Sequence, residues 1–138
     1  MPRRSILSDS FGPLEVQVLE AVWAENGPAT VRAIHDAFPQ LAYTTLMTTL
    51  DRLHRKGVLE RAKVGRAFAY AACLSRHEME LRLASRSIEG ILGGYGRTAL
   101  TPLLSCFVNA VSDRDRHLLD DLEAILRAKR AALRGDEL

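Results

Sequence analysis

The sequence predicts a mainly α-helical protein with one small β-hairpin. Apolar residues recur at helical spacing over most of the chain, and the period changes to that of short strands only between residues 58 and 72. A Gly-Arg pair divides this strand-forming stretch in two. The 138 residues are enough for one domain with an appendage, and the second half of the chain has no strand pattern. These observations together predict a mixed domain followed by a purely helical one.

Three helices are predicted before the hairpin. Each has apolar residues at helical spacing, and glycine or proline follows its end. Their predicted ranges are residues 13–25, 30–38 and 42–56. Strands over residues 58–64 and 67–72 follow, and Gly65-Arg66 between them suits a type II′ turn. Three helices and a hairpin in this order are typical of a winged helix-turn-helix domain, here residues 1–74.

Residues 75–138 are predicted to form a helical dimerisation domain. Ser75-x-x-Glu78 is a capping box at the start of one helix, and Ser112-x-x-Asp115 is predicted to open the last one. Three amphipathic helices of about 60 residues are too few to enclose their own apolar faces, which favours burial against a second copy. Packing onto the first domain is the alternative. The residues predicted to form the dimer interface are Ile88, Ile91, Leu100, Leu103, Leu104, Phe107, Val108, Leu118, Leu122, Ile125 and Leu126.

The third predicted helix separates polar from apolar side chains. On a helical wheel at about 100° per residue, the apolar side holds Leu46, Leu50, Leu53, Tyr43, Met47 and His54. The polar side holds Thr44, Thr45, Thr48, Thr49, Arg52, Arg55 and Lys56. Threonine is a poor helix former, so four on one face indicate a function rather than an ordinary solvated surface. Its hydroxyl suits a base edge or a phosphate, and its methyl suits thymine.

Positive charge is concentrated between the last turn of this predicted helix and the turn of the hairpin. The formal net charge of the chain is only +2, but residues 52–66 hold six cations and one acid, a local net charge of +5. Such a cluster attracts a phosphate backbone, although a solvated surface face is the alternative. The cations are Arg52, Arg55, Lys56, Arg61, Lys63 and Arg66. Thr30 and Arg32 are predicted to hold a further phosphate, which is compatible with Thr30 capping its helix. Double-stranded DNA is therefore the predicted partner.

The sequence offers no chemistry for an enzyme. It has no nucleophile elbow, phosphate-binding loop or dinucleotide fingerprint, and its four histidines lack metal-ligand spacing. No catalytic residue, metal or cofactor is therefore predicted. The longest apolar runs are too short to span a bilayer, so no membrane partner is expected. Met1-Pro2-Arg3-Arg4 precedes no apolar segment of the signal-peptide kind, which predicts a cytoplasmic protein.

Three segments resemble the penicillinase-repressor family. They are Phe11-Gly12-Pro13-Leu14-Glu15-Val16-Gln17-Val18-Leu19 followed by Trp23, residues 42–53 followed by Lys56-Gly57, and the wing segment at residues 65–70. The resemblance implies a bacterial winged-helix homodimer that represses transcription from a dyad-symmetric operator, with the third helix in the major groove. By matching position, it implies that Thr44, Thr45, Thr48 and Arg52 face the groove. Lys63 and Arg66 would be the wing contacts.

The chain also departs from features of this family. Some relatives are inactivated by cleavage at an Asn-Phe bond in the dimerisation region, where this chain has Cys106-Phe107. Copper-responsive relatives end in a cysteine-rich hook, and this tail has no cysteine. Neither route of release is therefore expected, and Cys106 is predicted to be a buried, inert thiol rather than a redox-active one. Two other functions are compatible with the sequence: a winged-helix module that binds an acidic protein partner, and a ligand-sensing repressor with an effector pocket at the dimer interface.

Overall fold

The computed structural model describes residues 5–137 as two compact units, one ending at Ile88 and one beginning at Glu89. Residues 1–4, on which the absence of a signal peptide was predicted, lie outside the described part of the chain. The sequence places the boundary after residue 74. The structure keeps the following residues up to Ile88 with the first unit, where Met79 is buried.

The predicted fold class is confirmed, with helices and a small antiparallel sheet. The elements of the first unit are α1 (Ile6–Ser10), α2 (Pro13–Ala24), β1 (Ala29–Thr30), α3 (Val31–His35), α4 (Tyr43–Arg55), β2 (Leu59–Val64) and β3 (Ala67–Ala72). The helices α2 and α4 and the hairpin lie where the sequence predicts them. The short helix α3 ends at His35 rather than Phe38. Two elements, α1 and β1, were not predicted because five and two residues are too short to show a period.

The sheet has the strand order β1-β3-β2, and both pairings are antiparallel. The strand β1 pairs Thr30 with Ala69, which ties the start of α3 to the wing. Gly65 at the hairpin turn has a φ of 63°, and no non-glycine residue among residues 5–137 has a positive φ. Only the first turn position is therefore left-handed, as the predicted type II′ turn requires.

One hydrophobic core holds the first unit together. Leucine and isoleucine side chains from α2, α3, α4 and β2 are fully buried in it, and each contributes about 1.5–3 kcal/mol relative to an exposed position. These leucine and isoleucine side chains are Leu19, Ile34, Leu46, Leu50, Leu53 and Leu59. Because α4 supplies three of these six, its orientation on the domain is fixed by the core.

Three longer helices follow the hairpin: α5 (Arg76–Gly93), α6 (Arg97–Arg114) and α7 (Leu118–Asp136). The capping residue of α5 is confirmed, since Ser75 Oγ accepts a hydrogen bond from the backbone N–H of Glu78 at 3.1 Å. The predicted helix start at Ser112 is wrong. The helix α6 continues through Ser112 to Arg114, and Asp115 breaks it with an extended backbone, at φ −162° and ψ 119°. The carboxylate of Asp115 then accepts from the N–H of His117 at 2.9 Å, just before α7 begins.

Candidate nucleic-acid interface

The outward side of α4 carries the predicted recognition residues. Thr44, Thr45, Thr48 and Arg52 are all exposed, and together with Leu14 of α2 and Thr49 they line a shallow cleft of about 300 Å³. The threonines lie on the first two turns of α4 and Arg52 lies one turn after Thr48. Four of the predicted contact residues are therefore brought together on one open surface.

Thr49 lines the same cleft but is nearly buried, whereas the sequence predicts an exposed side chain. Only 5% of Thr49 is exposed, while Tyr43 and Met47 on the predicted apolar side are 45% and 46% exposed. The buried arc of α4 is thus rotated by about 50° toward Thr49 relative to the wheel. Burial of the threonine hydroxyl is tolerated because Thr49 Oγ1 donates to the carbonyl of Thr45 at 2.9 Å. Tyr43 and Met47 extend the exposed face, a contribution that the apolar pattern concealed.

The hydroxyl of Thr48 has a defined hydrogen-bonding polarity. Its Oγ1 donates to the carbonyl of Thr44 at 2.9 Å, one turn earlier in α4. Because a hydroxyl has a single hydrogen, the outward lone pairs can then only accept. Toward solvent, Thr48 presents one acceptor and one methyl group.

Half of the predicted cationic cluster already has intramolecular partners. Lys56 Nζ contacts both carboxylate oxygens of Glu15, at 3.0 and 2.8 Å, and lies 5.4 Å from the centre of the Phe11 ring. Asp51 binds both Arg55 and Arg61, each at 3.0 Å. The local charge of +5 was therefore too high as a measure of free cations, because two acids outside residues 52–66 pair with three of them. Lys56 joins α4 to α2 rather than extending freely from the surface.

Glu15 holds its charge despite its burial. Burial by itself raises the pKa of Glu15, but hydrogen bonds from Lys56 Nζ and from the N–H of Gly12, together with the charges of Lys56 and Arg52, outweigh it. The net result is a pKa below the ordinary value of 4.5. The side chain is 9% exposed, so this carboxylate is an internal anchor between the start of α2 and the end of α4.

The wing is anchored to α4 through Arg61. Its guanidinium binds Asp51 of α4 and lies 4.4 Å from the ring centre of Phe68 on the paired strand. The neighbouring Tyr70, followed by Asp51, raises the pKa of Arg61 above its ordinary value. Arg61 is thus fixed at the base of the wing, where it holds the hairpin against α4.

The remaining predicted cations are exposed and have no ion pair within residues 5–137. They are Arg32 on α3, Arg52 on α4, and Lys63 and Arg66 on the wing. Thr30 caps α3, since its Oγ1 accepts from the N–H of Ala33 at 3.2 Å. These cations can neutralise phosphates without first losing an internal partner.

The residues predicted to form a dimer interface are apolar, and all of them are at least partly exposed in the single chain. Leu100, Leu103 and Leu122 are half-buried, and α6 contacts α7. The exposed members are Ile88, Ile91, Leu104, Phe107, Val108, Leu118, Ile125 and Leu126. Cys106 is exposed, so the prediction of a buried thiol is wrong for the single chain.

No group of three or more histidine, cysteine, aspartate or glutamate side chains within residues 5–137 is placed to hold a metal ion. None of the described helices combines the length and the apolar character needed to span a bilayer.

Known proteins resemble this chain over most of its length. The penicillinase repressor family model matches residues 11–128. The transcriptional regulator BlaI of Mycobacterium tuberculosis is 32% identical over 121 residues, which cover 83% of this chain and 86% of that protein. Among solved structures, MepR, a transcription regulator of the Staphylococcus aureus multidrug efflux pump MepA, is 14% identical with a TM-score of 0.47, over 80% of this chain and 84% of that one. A MarR family protein from Bacillus stearothermophilus is 17% identical with a TM-score of 0.45, over 79% of each chain.

The family match and the BlaI relative carry the assignment. The matched segment contains α2 to α6 and part of α7, so it includes the winged helix as well as the helices after it. Homologous transcriptional regulators are not enzymes, which confirms the expectation of a protein without catalytic activity. The chain belongs to the penicillinase repressor family of transcriptional regulators.

Proposed function

We propose that this regulator represses transcription in the cytoplasm by binding a dyad-symmetric operator in double-stranded DNA as a homodimer. The helix α4 enters the major groove and the β2–β3 wing lies on the backbone. The observation that carries the proposal is the exposed surface of Thr44, Thr45, Thr48 and Arg52, which is polar, carries an unpaired cation and sits on a helix fixed by the core.

The chemistry of this surface suits base edges. The guanidinium of Arg52 presents a fork of donors that matches the two acceptors of guanine. The outward acceptor of Thr48 suits an amino group of adenine or cytosine, and its methyl suits thymine. Lys63 and Arg66, on a hairpin anchored by Arg61, suit phosphates. Base reading is thereby assigned to α4 and positioning to the wing.

The exposed apolar faces of α6 and α7 support the homodimer. Phe107 is 56% exposed and Ile125 is 63% exposed, which is unusual for large apolar side chains unless a partner covers them. A two-fold dimer presents two copies of α4 to half-sites about 34–36 Å apart on one side of the duplex. The dyad symmetry of the operator follows from that arrangement.

The test is the binding of the protein to DNA from upstream of its own gene, measured by fluorescence anisotropy. Affinity should fall steeply with salt, because several phosphates are neutralised per dimer. Arg52→Ala should cost about 1–3 kcal/mol and relax sequence preference. Lys63→Ala should weaken binding to all sequences alike and reduce the salt slope by about one. Arg130 is exposed on α7, so Arg130→Ala is the matched control and should leave the affinity for DNA unchanged.

Two results would contradict the proposal. If Arg52→Ala weakened operator and unrelated DNA equally, α4 would not read bases. If no sequence-selective binding appeared at moderate salt, the basic surface would instead suit an acidic protein partner.

A further inference from the structure

A cavity of about 430 Å³ lies within the first unit, apart from the outward face of α4. Its lining comes from the junction of α1 and α2, the link from α4 to β2, the two residues that follow β3, and the first part of α5. Its apolar lining residues are Phe11, Val58, Leu74, Met79 and Leu83. Its charged lining residues are Lys56, Arg82 and Arg86. The described lining contains three cations and no carboxylate.

The two arginines are available to a ligand. Arg82 and Arg86 lie one turn apart on α5, are exposed, and form no ion pair within residues 5–137. Lys56, the third cation of the lining, is paired with Glu15, which is not itself a lining residue. Two guanidinium groups four residues apart offer several N–H donors to one carboxylate, a stronger match than single ammonium groups provide. An apolar wall with a few convergent charged groups is the usual form of a small-molecule site.

We infer that this cavity binds a small organic anion, a carboxylate on an apolar body, and that the bound anion opposes DNA binding. Its volume suits a ligand of about 10–20 non-hydrogen atoms. Arg82 and Arg86 bind the carboxylate, and the apolar side chains contact the body of the ligand. A neutral molecule of the same shape satisfies only the apolar part of the lining.

The position of the cavity couples it to the DNA-binding elements. Lys56, Gly57 and Val58 line it and connect α4 directly to β2, and the carbonyl of Val58 accepts from the N–H of Cys73 at 3.1 Å. A negative charge beside this link lowers the positive potential of the surface, and phosphates within a Debye length of about 10 Å are then held less strongly. This effect on DNA rests on the proposed function, whereas the binding of the anion does not.

Calorimetric titration of the full chain with 1-naphthoate tests the site directly. The dissociation constant should be about 1 mM or tighter for a ligand of this size. The uncharged 1-naphthamide should bind about tenfold more weakly or worse, because it lacks the carboxylate. Naphthoate should bind the double variant Arg82→Gln/Arg86→Gln more weakly by about the same factor, because this variant lacks the two guanidinium groups. Arg130→Gln on α7 removes an exposed arginine outside the cavity and should change nothing. Equal affinity for acid and amide, unchanged affinity in the double variant, or no saturable binding of naphthoate would overturn the site.

Operator affinity measured with and without saturating 1-naphthoate tests the opposition. We expect weaker operator binding by wild type and no change in the double variant. If naphthoate binds but operator affinity stays constant, the opposition is overturned and the site stands. If the protein binds no operator even without naphthoate, the proposed function fails, while the calorimetry still decides the cavity.

Discussion

The two units of this chain use similar apolar side chains in opposite ways. Every buried residue within residues 5–137 lies in the first unit, from Leu7 to Met79. None of the described residues from Glu89 onward is buried, although α6 and α7 carry leucine, isoleucine and phenylalanine at helical spacing. The first unit therefore has its own core, while the second has apolar faces that the single chain leaves exposed. Apolar residues recur at helical spacing in both units. The units differ in whether other residues of the same chain cover those apolar side chains.

The largest expected effect comes from one substitution made in each unit. Leu50 is fully buried on α4, and Leu50→Ala should lower the free energy of unfolding by about 3–5 kcal/mol through lost burial and a residual cavity. Leu104 is 57% exposed on α6, and Leu104→Ala should act by weakening the proposed dimer. Chemical denaturation at two protein concentrations separates these effects. The loss at Leu50 should persist at both concentrations, and the loss at Leu104 should depend on concentration.

If Leu104→Ala cost as much as Leu50→Ala at every concentration, the apolar face of α6 would be covered within one chain. The exposed faces would then offer no support for a dimer.

A smaller effect is expected when charge is placed on the apolar faces of the second unit. The double variant Phe107→Asp/Ile125→Asp should sediment as a monomer at micromolar concentration, because two carboxylates cannot be buried unpaired in an interface. Loss of the linked half-site should weaken operator affinity by about 100-fold. The circular dichroism of the first unit should stay intact, since neither residue contributes to its core. A variant that stays dimeric would locate self-association elsewhere.

Sequence reasoning predicted the first unit well where a period was long enough to read. The helices α2 and α4 and the hairpin turn at Gly65 follow from apolar spacing and from a glycine with the φ that the turn requires. The strand β1 was not predictable, because Ala29 and Thr30 become a strand only by pairing with β3. The helix start predicted at Ser112 was wrong because the capping pattern there lies inside α6, and the surrounding helix overrides it.

In the candidate site, the sequence likewise does not show which charged side chains are paired within the fold. A count of cations along the chain identifies the exposed Arg52, Lys63 and Arg66. It does not show that Lys56 is paired, because its partner Glu15 lies 41 residues earlier and meets it only in the folded domain. The burial of Thr49 was also hidden, since a wheel assumes one apolar side whereas α4 packs against α2, α3 and β2. Long-range partners therefore decide which of these charges remain unpaired.

The smallest expected effect compares one ion pair from each unit. Glu15→Gln removes the buried partner of Lys56 and should cost about 1–2 kcal/mol, a value reduced by the partial exposure of the lysine. Glu123→Gln removes a pair with Arg127 on α7, where both side chains are largely exposed, and should cost about 0.5 kcal/mol or less. Denaturant unfolding at pH 7 measures both. Equal costs would mean that the link between α2 and α4 stabilises the domain no more than a surface pair does.

The pH dependence of the Glu15 effect has a defined sign. Because the folded domain holds the pKa of Glu15 below its ordinary value of 4.5, the ionised carboxylate favours the folded state. That stabilisation is fully present above the unfolded pKa and is lost as pH falls through the folded pKa. The difference in stability between wild type and Glu15→Gln should therefore be constant near neutrality and shrink as the pH drops below 4.5. A difference that stayed constant into acid would assign the cost of the substitution to packing, and the anchor between α2 and α4 would then not depend on charge.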